Sequence, residues 1–200
     1  KAYSAQLVSL YALALYMGKI KGSITNEKHQ KLIKELWALP EKIEATIGAV
    51  DKKIKGLADI IFKEKDIFFI GRLGDFAVAA EGSLKMKEIS YINSQSYPAG
   101  ELKHGTISLI EEGSVVVAVA GKSKIFQKTV SNISEVQARG AKVILITDES
   151  DKEYSISAEY TITVPETIKE FQSSLLVLPL QLLSYYTAKN LNCDIDRPKN

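Results

Sequence analysis

The chain has 200 residues, 46% of them hydrophobic and 25% charged, with a formal net charge of +2. That is enough to bury one good core, and interspersed charges of both signs exclude the basic stripe of a nucleic-acid groove. A lone cysteine, Cys193, excludes an intramolecular disulfide framework and fits a reducing, cytoplasmic compartment.

The first sixty-odd residues read as helices. Lys1 leads straight into a helical pattern with no cleavage signature of a signal peptide. A start on Lys rather than Met is expected of a piece excised from something longer. Residues 2–21 are apolar nearly all round, which predicts burial against several neighbours. Gly22-Ser23 breaks that helix, Thr25 or Asn26 caps the next one through Trp37, and Pro40 opens a short helix over 41–47. A fourth is expected over 51–62. Residues 2–18 and 171–188 lack charges and approach the spanning minimum of about 17–20 residues. Both carry Ser, Gln and Tyr, and the second contains Pro179. They are read as buried or interface helices, with no membrane partner.

The rhythm then changes to alternating strand and helix. Apolar β-branched runs at 66–70, 114–120, 142–147 and 160–164 predict buried strands, and helices are expected over 76–92, 125–138 and 171–191. Such runs separated by helices indicate a mainly parallel sheet covered on both faces. The expected fold is a three-layer α/β/α sandwich. It forms one domain over 1–200, with a helical lead-in at 1–63 and an α/β core at 64–200. There is no internal repeat.

The chemistry concentrates in residues 81–105. On a helix turning about 100° per residue, Glu81, Lys85 and Glu88 fall within roughly 60° of one another. Val78, Ile89 and Ile92 lie on or beside that face, and Lys87 and Ser90 point away from it. Charges at the edge of a packing face are costly unless paired or used; here a lysine stands between two carboxylates. The alternative is an ordinary helix-surface ion pair. Next comes Gly100-Glu101-Leu102-Lys103-His104-Gly105, a glycine-bracketed loop offering one of only two histidines. Carboxylate, amine and imidazole together suit proton shuttling beside a carbonyl. His29 sits in a charged stretch and is expected to face solvent. Gly71-Arg72-Leu73-Gly74 is either an anion cradle at a helix N-terminus or simply a tight turn.

The run over 81–91, the AGELKHG that follows, the opening KAYSAQ, the LWALP of 36–40 and the closing DIDRPKN resemble the isomerase domain of the glutamine:fructose-6-phosphate amidotransferase (glucosamine-6-phosphate synthase) family. The resemblance runs along nearly the whole chain and implies the sugar-isomerase (SIS) fold. It implies that Glu88 moves a proton between C1 and C2 of the sugar and that His104 opens the sugar ring, reaching the site of a neighbouring subunit in a homodimer. Lys85 and Glu81 then support the base, and Lys199 and Asn200 belong to the substrate-binding or supporting set. The implied ligands are fructose 6-phosphate and glucosamine 6-phosphate, with no cofactor and no metal. The further partners are an N-terminal SIS lobe and a glutaminase domain of the same polypeptide. The family's imine-forming lysine follows the Pro-basic-Asn motif, where this chain stops, so Lys85 is not given that role. Its Ser/Thr-rich phosphate loop belongs to the other lobe, and Thr106 stands where many relatives have proline. Two competing readings are a sugar-phosphate-binding SIS module without turnover and a related ketose–aldose isomerase or deglycase.

Overall fold

In the computed structural model, residues 2–148 and 158–199 are described. Three helices lead in: α1 (Ala2–Ile20), α2 (Asn26–Trp37) and α3 (Leu39–Ile61). The alternating part follows as β1 (Asp66–Gly71), α4 (Gly74–Ser90), β2 (Asn93–Pro98), β3 (Val115–Ala120), α5 (Phe126–Gln137), β4 (Lys142–Asp148), β5 (Tyr160–Val164) and α6 (Gln172–Asn190). The five strands are all parallel, in the order β2-β1-β3-β4-β5.

The strands alternate their burial between two cores, as a period of two requires. Phe69, Val117, Ile146 and Ile162 point to the side covered by α3, α4 and α6. Phe68, Ile70, Val116 and Leu145 point to the other, under α5 and residues 99–110. This is the expected α/β/α sandwich. Gly82 is what lets α4 lie close on α6. A Cβ there would meet Leu180 Cδ1 at 2.8 Å, closer than packed carbon atoms allow.

Four expectations need correction. Residues 41–47 and 51–62 form one helix, α3, because Thr46, Val50, Ile54, Leu57 and Ile61 keep a single buried face past Gly48. A fifth strand, β2, was not expected; its polar NSQSYP gives no apolar run, but it pairs residue for residue with β1 at the sheet edge. Helix α4 ends at Ser90, where Tyr91 turns left-handed (φ 62°), so Ile92 is not on it, and Ser90 is buried rather than outward. Finally, only Leu15 of α1 is buried, while Leu10, Leu13, Tyr16, Met17 and Ile20 are exposed. Nothing among the described residues covers that outer row. Helix α6 is buried as expected, and no described helix is long and apolar enough to cross a membrane. The cap of α2 is Thr25, whose Oγ1 accepts from the Lys28 amide at 3.1 Å.

Candidate active site

Helix α4 carries Glu81, Lys85 and Glu88 as the spacing predicts, and Glu81 is the most buried of the three. The Glu81 side chain is 11% exposed, Lys85 33% and Glu88 28%. Lys85 Nζ donates to Glu88 Oε2 and lies 4.0 Å from Glu81 Oε1. Glu81 Oε1 is buried, with no hydrogen-bond partner among the described residues. Burial pushes the Glu81 carboxyl above its usual range; Lys85 opposes this and Glu88 adds to it. Tyr3 of α1 sits near enough for Glu81 to raise its phenol further, beyond the rise that burial causes.

A pH dependence follows from Glu81. Its folded-state pKa lies above the unfolded value, so the native chain binds more protons in that window and loses stability as pH rises through it. Glu81→Gln removes the titration. Thermal melts of both chains from pH 4 upward are expected to show the variant gaining on the wild type as pH rises. A constant difference would mean that Glu81 ionises as freely folded as unfolded.

Tyr91, just past the end of α4, was missed by the sequence reading. Its hydroxyl accepts from the Lys199 amide at 3.1 Å, and Lys199 Nζ stands 4.7 Å over its ring. Asp194 Oδ1 accepts from the amides of Asp196 (3.1 Å) and Arg197 (3.0 Å), which folds the closing segment into a turn. Lys199 is thus held at the Glu88 end of α4; Asn200 lies outside the described residues. An aromatic residue in the left-handed region is the one signal that could have marked Tyr91, and φ is not legible in sequence.

His104 is placed elsewhere. The glycine-bracketed loop is a 3₁₀ helix, Ala99–His104, that follows the C-terminal end of β2. Helix α4 starts beside the C-terminal end of β1 and runs back, so Glu88 lies about 20 Å along its axis from Gly74, near the start of β2. The structure therefore puts Glu88 and His104 of one chain at opposite ends of the parallel strands. The His104 side chain is 76% exposed, with Nε2 3.9 Å from Glu101 Oε2.

Gly71-Arg72-Leu73-Gly74 is a tight turn. A Cβ on Gly71 would strike the Asp75 carbonyl carbon at 2.6 Å. Asp75 puts the chain's own negative charge in the first turn of α4, and its Oδ2 accepts from the Gly121 amide at 3.1 Å. A cleft of about 760 Å³ opens at the N-terminal ends of the strands, lined by Lys63, Asp66, Asn93, Glu112 and Lys142 among others; no predicted site residue lines it. Among the described residues, no group of three or more His, Cys, Asp or Glu side chains could hold a metal ion.

Comparison with known proteins bears on this arrangement. The SIS domain family model matches residues 60–190. The glutamine–fructose-6-phosphate aminotransferase (isomerizing) of Clostridium tetani is 48% identical over 200 residues, covering all of this chain and 33% of that protein. Its namesake from Caldanaerobacter subterraneus is 45% identical over the same span, with 33% of that protein covered. The chain spans about a third of the length of the curated relatives it matches. Among solved structures, the C-terminal domain of glucosamine-fructose-6-phosphate aminotransferase from Francisella tularensis superposes with a TM-score of 0.93 at 34% identity, covering 98% of this chain and 55% of that one.

Proposed function

The chain belongs to the SIS domain family, and on that premise we propose that it is the C-terminal sugar-isomerase lobe of a glutamine–fructose-6-phosphate aminotransferase, with residues 1–200 as one domain. The observation that carries the reading is the Glu81–Lys85–Glu88 row on α4, in a chain that aligns end to end with relatives of that name. The overall reaction joins fructose 6-phosphate and glutamine to give glucosamine 6-phosphate and glutamate.

In this reading Glu88 is the base. Its carboxylate takes the proton from C1 and returns one to C2 through an enolamine, which needs a single group within reach of both carbons. Lys85 pairs with that carboxylate and aims it. Glu81 Oε1, which has no hydrogen-bond partner among the described residues, accepts a hydrogen bond from the sugar. Tyr91 and Lys199 wall the Glu88 end. His104 gives a proton to the ring oxygen as the ring opens. Their placement at opposite ends of the strands supports a site shared between two copies, one giving Glu88 and the other His104. The apolar outer row of α1 is the surface offered to a partner, whereas α6 is occupied with the core. The phosphate grip, the imine-forming lysine and glutamine hydrolysis fall to the other lobe, the tail and the glutaminase domain. The place of work is the cytoplasm.

The 200-residue chain alone tests the division of labour. Positioning supplies much of an isomerase's rate, and a phosphate left ungripped contributes no binding energy to it. Titration calorimetry is expected to show weak binding of fructose 6-phosphate, and a coupled assay no glucosamine 6-phosphate. Robust turnover would mean that the site is complete within these residues.

A further inference from the structure

The turn that bears His104 is held from beneath by a chain of side chains that starts at Arg72. The register of β1 and β2 sets Gly71 opposite Pro98, so the residues just past each strand lie side by side. Arg72 Nε donates to Asn132 Oδ1 of α5 at 3.0 Å, and Asn132 is only 6% exposed. Asn132 Nδ2 donates in turn to Glu135 Oε2 at 3.3 Å, and Glu135 Oε1 pairs with Lys103 Nζ at 2.9 Å. Lys103 is the residue before His104.

Gly100 closes the arrangement from above. A Cβ on it would stand 2.6 Å from a terminal nitrogen of Arg72 and 3.1 Å from the guanidinium carbon. The backbone of the 3₁₀ helix therefore lies against the guanidinium, and a side chain at position 100 would push Arg72 aside. Ala99 and Leu102 are fully buried on either side of that contact. The exposed Lys103–Glu135 pair alone would hold little. The half-buried Arg72–Asn132 bond fixes its far end, so the two charges meet without each searching for the other. Lysine could not replace Arg72, because its ammonium is a point charge with no plane for Gly100 to cover.

We infer that Arg72 is a positioning residue for His104: its guanidinium, locked to Asn132 and covered by Gly100, sets the height and direction of the 3₁₀ helix that presents the imidazole. The inference rests on the ring-opening reading of His104. A misplaced general acid loses rate without loss of binding, since the proton must travel along one line to the ring oxygen.

The experiment measures kcat and KM of the complete polypeptide for cyclic sugar phosphate and for an open-chain analogue. Arg72→Ala and Gly100→Ala are each expected to lower kcat on the cyclic substrate by about a hundredfold while leaving KM and open-chain turnover within about threefold. The double variant Gly100→Ala, Arg72→Ala is expected to be no slower than Arg72→Ala, because the collision partner is gone. Glu135→Gln, a partly exposed change, keeps the test alive should Arg72→Ala fail to fold; it is expected to move the same ratio in the same direction. Equal losses on both substrates, or an unchanged ratio in all variants, would overturn the inference. Hydrogen exchange at 99–104 in the 200-residue chain separates it from the reading beneath. If His104→Ala does not discriminate between the substrates but Arg72→Ala still speeds exchange there, the role of His104 is wrong and the anchoring stands. If exchange is unmoved, the anchoring is wrong.

Discussion

Glu88→Gln, introduced in the complete polypeptide, is expected to end deuterium wash-in at C1 and C2 of the sugar in D₂O. The loss should be on the order of 10²–10⁴-fold, the usual contribution of a positioned base. Gln keeps the size of the side chain and still accepts from Lys85, so the ion pair becomes a hydrogen bond and α4 is little disturbed. What disappears is the ability to take a proton. Sugar binding and glutaminase activity are expected to survive, since neither uses that carboxylate. The same wash-in rate as the wild type would remove Glu88 from the mechanism and leave the Lys85–Glu88 pair as a helix-surface bridge.

The second large effect is in His104. His104→Ala is expected to slow cyclic sugar far more than an open-chain analogue, which bypasses ring opening. Because Glu88 and His104 of one chain lie at opposite ends of the strands, two inactive variants should complement each other. A dimer of Glu88→Gln with His104→Ala contains one site with both natural residues and one with neither. Random mixing makes half the dimers mixed, so recovery of about a quarter of wild-type activity is expected after subunit exchange. No recovery would place both residues of a working site in a single copy.

Much of the fold was legible because buried parallel strands are written as continuous β-branched runs. SVVVAVA and KVILIT need no neighbours to be recognised. β2 lacked that mark, since its pairing is made by the backbone while its side chains are mostly polar. Helix α3 looked like two because Gly48 and Asp51 resemble a break, yet a helix survives one exposed glycine when its buried face continues. The acid–lysine–acid row was legible from period alone. The distance between that row and His104 was not, because it depends on which way α4 runs across the sheet. Arg72 was read only as part of an anion cradle or a tight turn, for Asn132 is sixty residues away in sequence and meets it only in three dimensions.

The modest character of β2 has a consequence for how copies of this chain come together. As an outer strand it could in principle take on a further strand from another molecule and grow a continuous ribbon. Asn93, Ser94, Gln95 and Ser96 offer no greasy strip to reward such an arrival, and the strand ends in Pro98, which has no amide hydrogen to give. A crowded solution of this chain therefore finds at β2 a poor seed for a fibre.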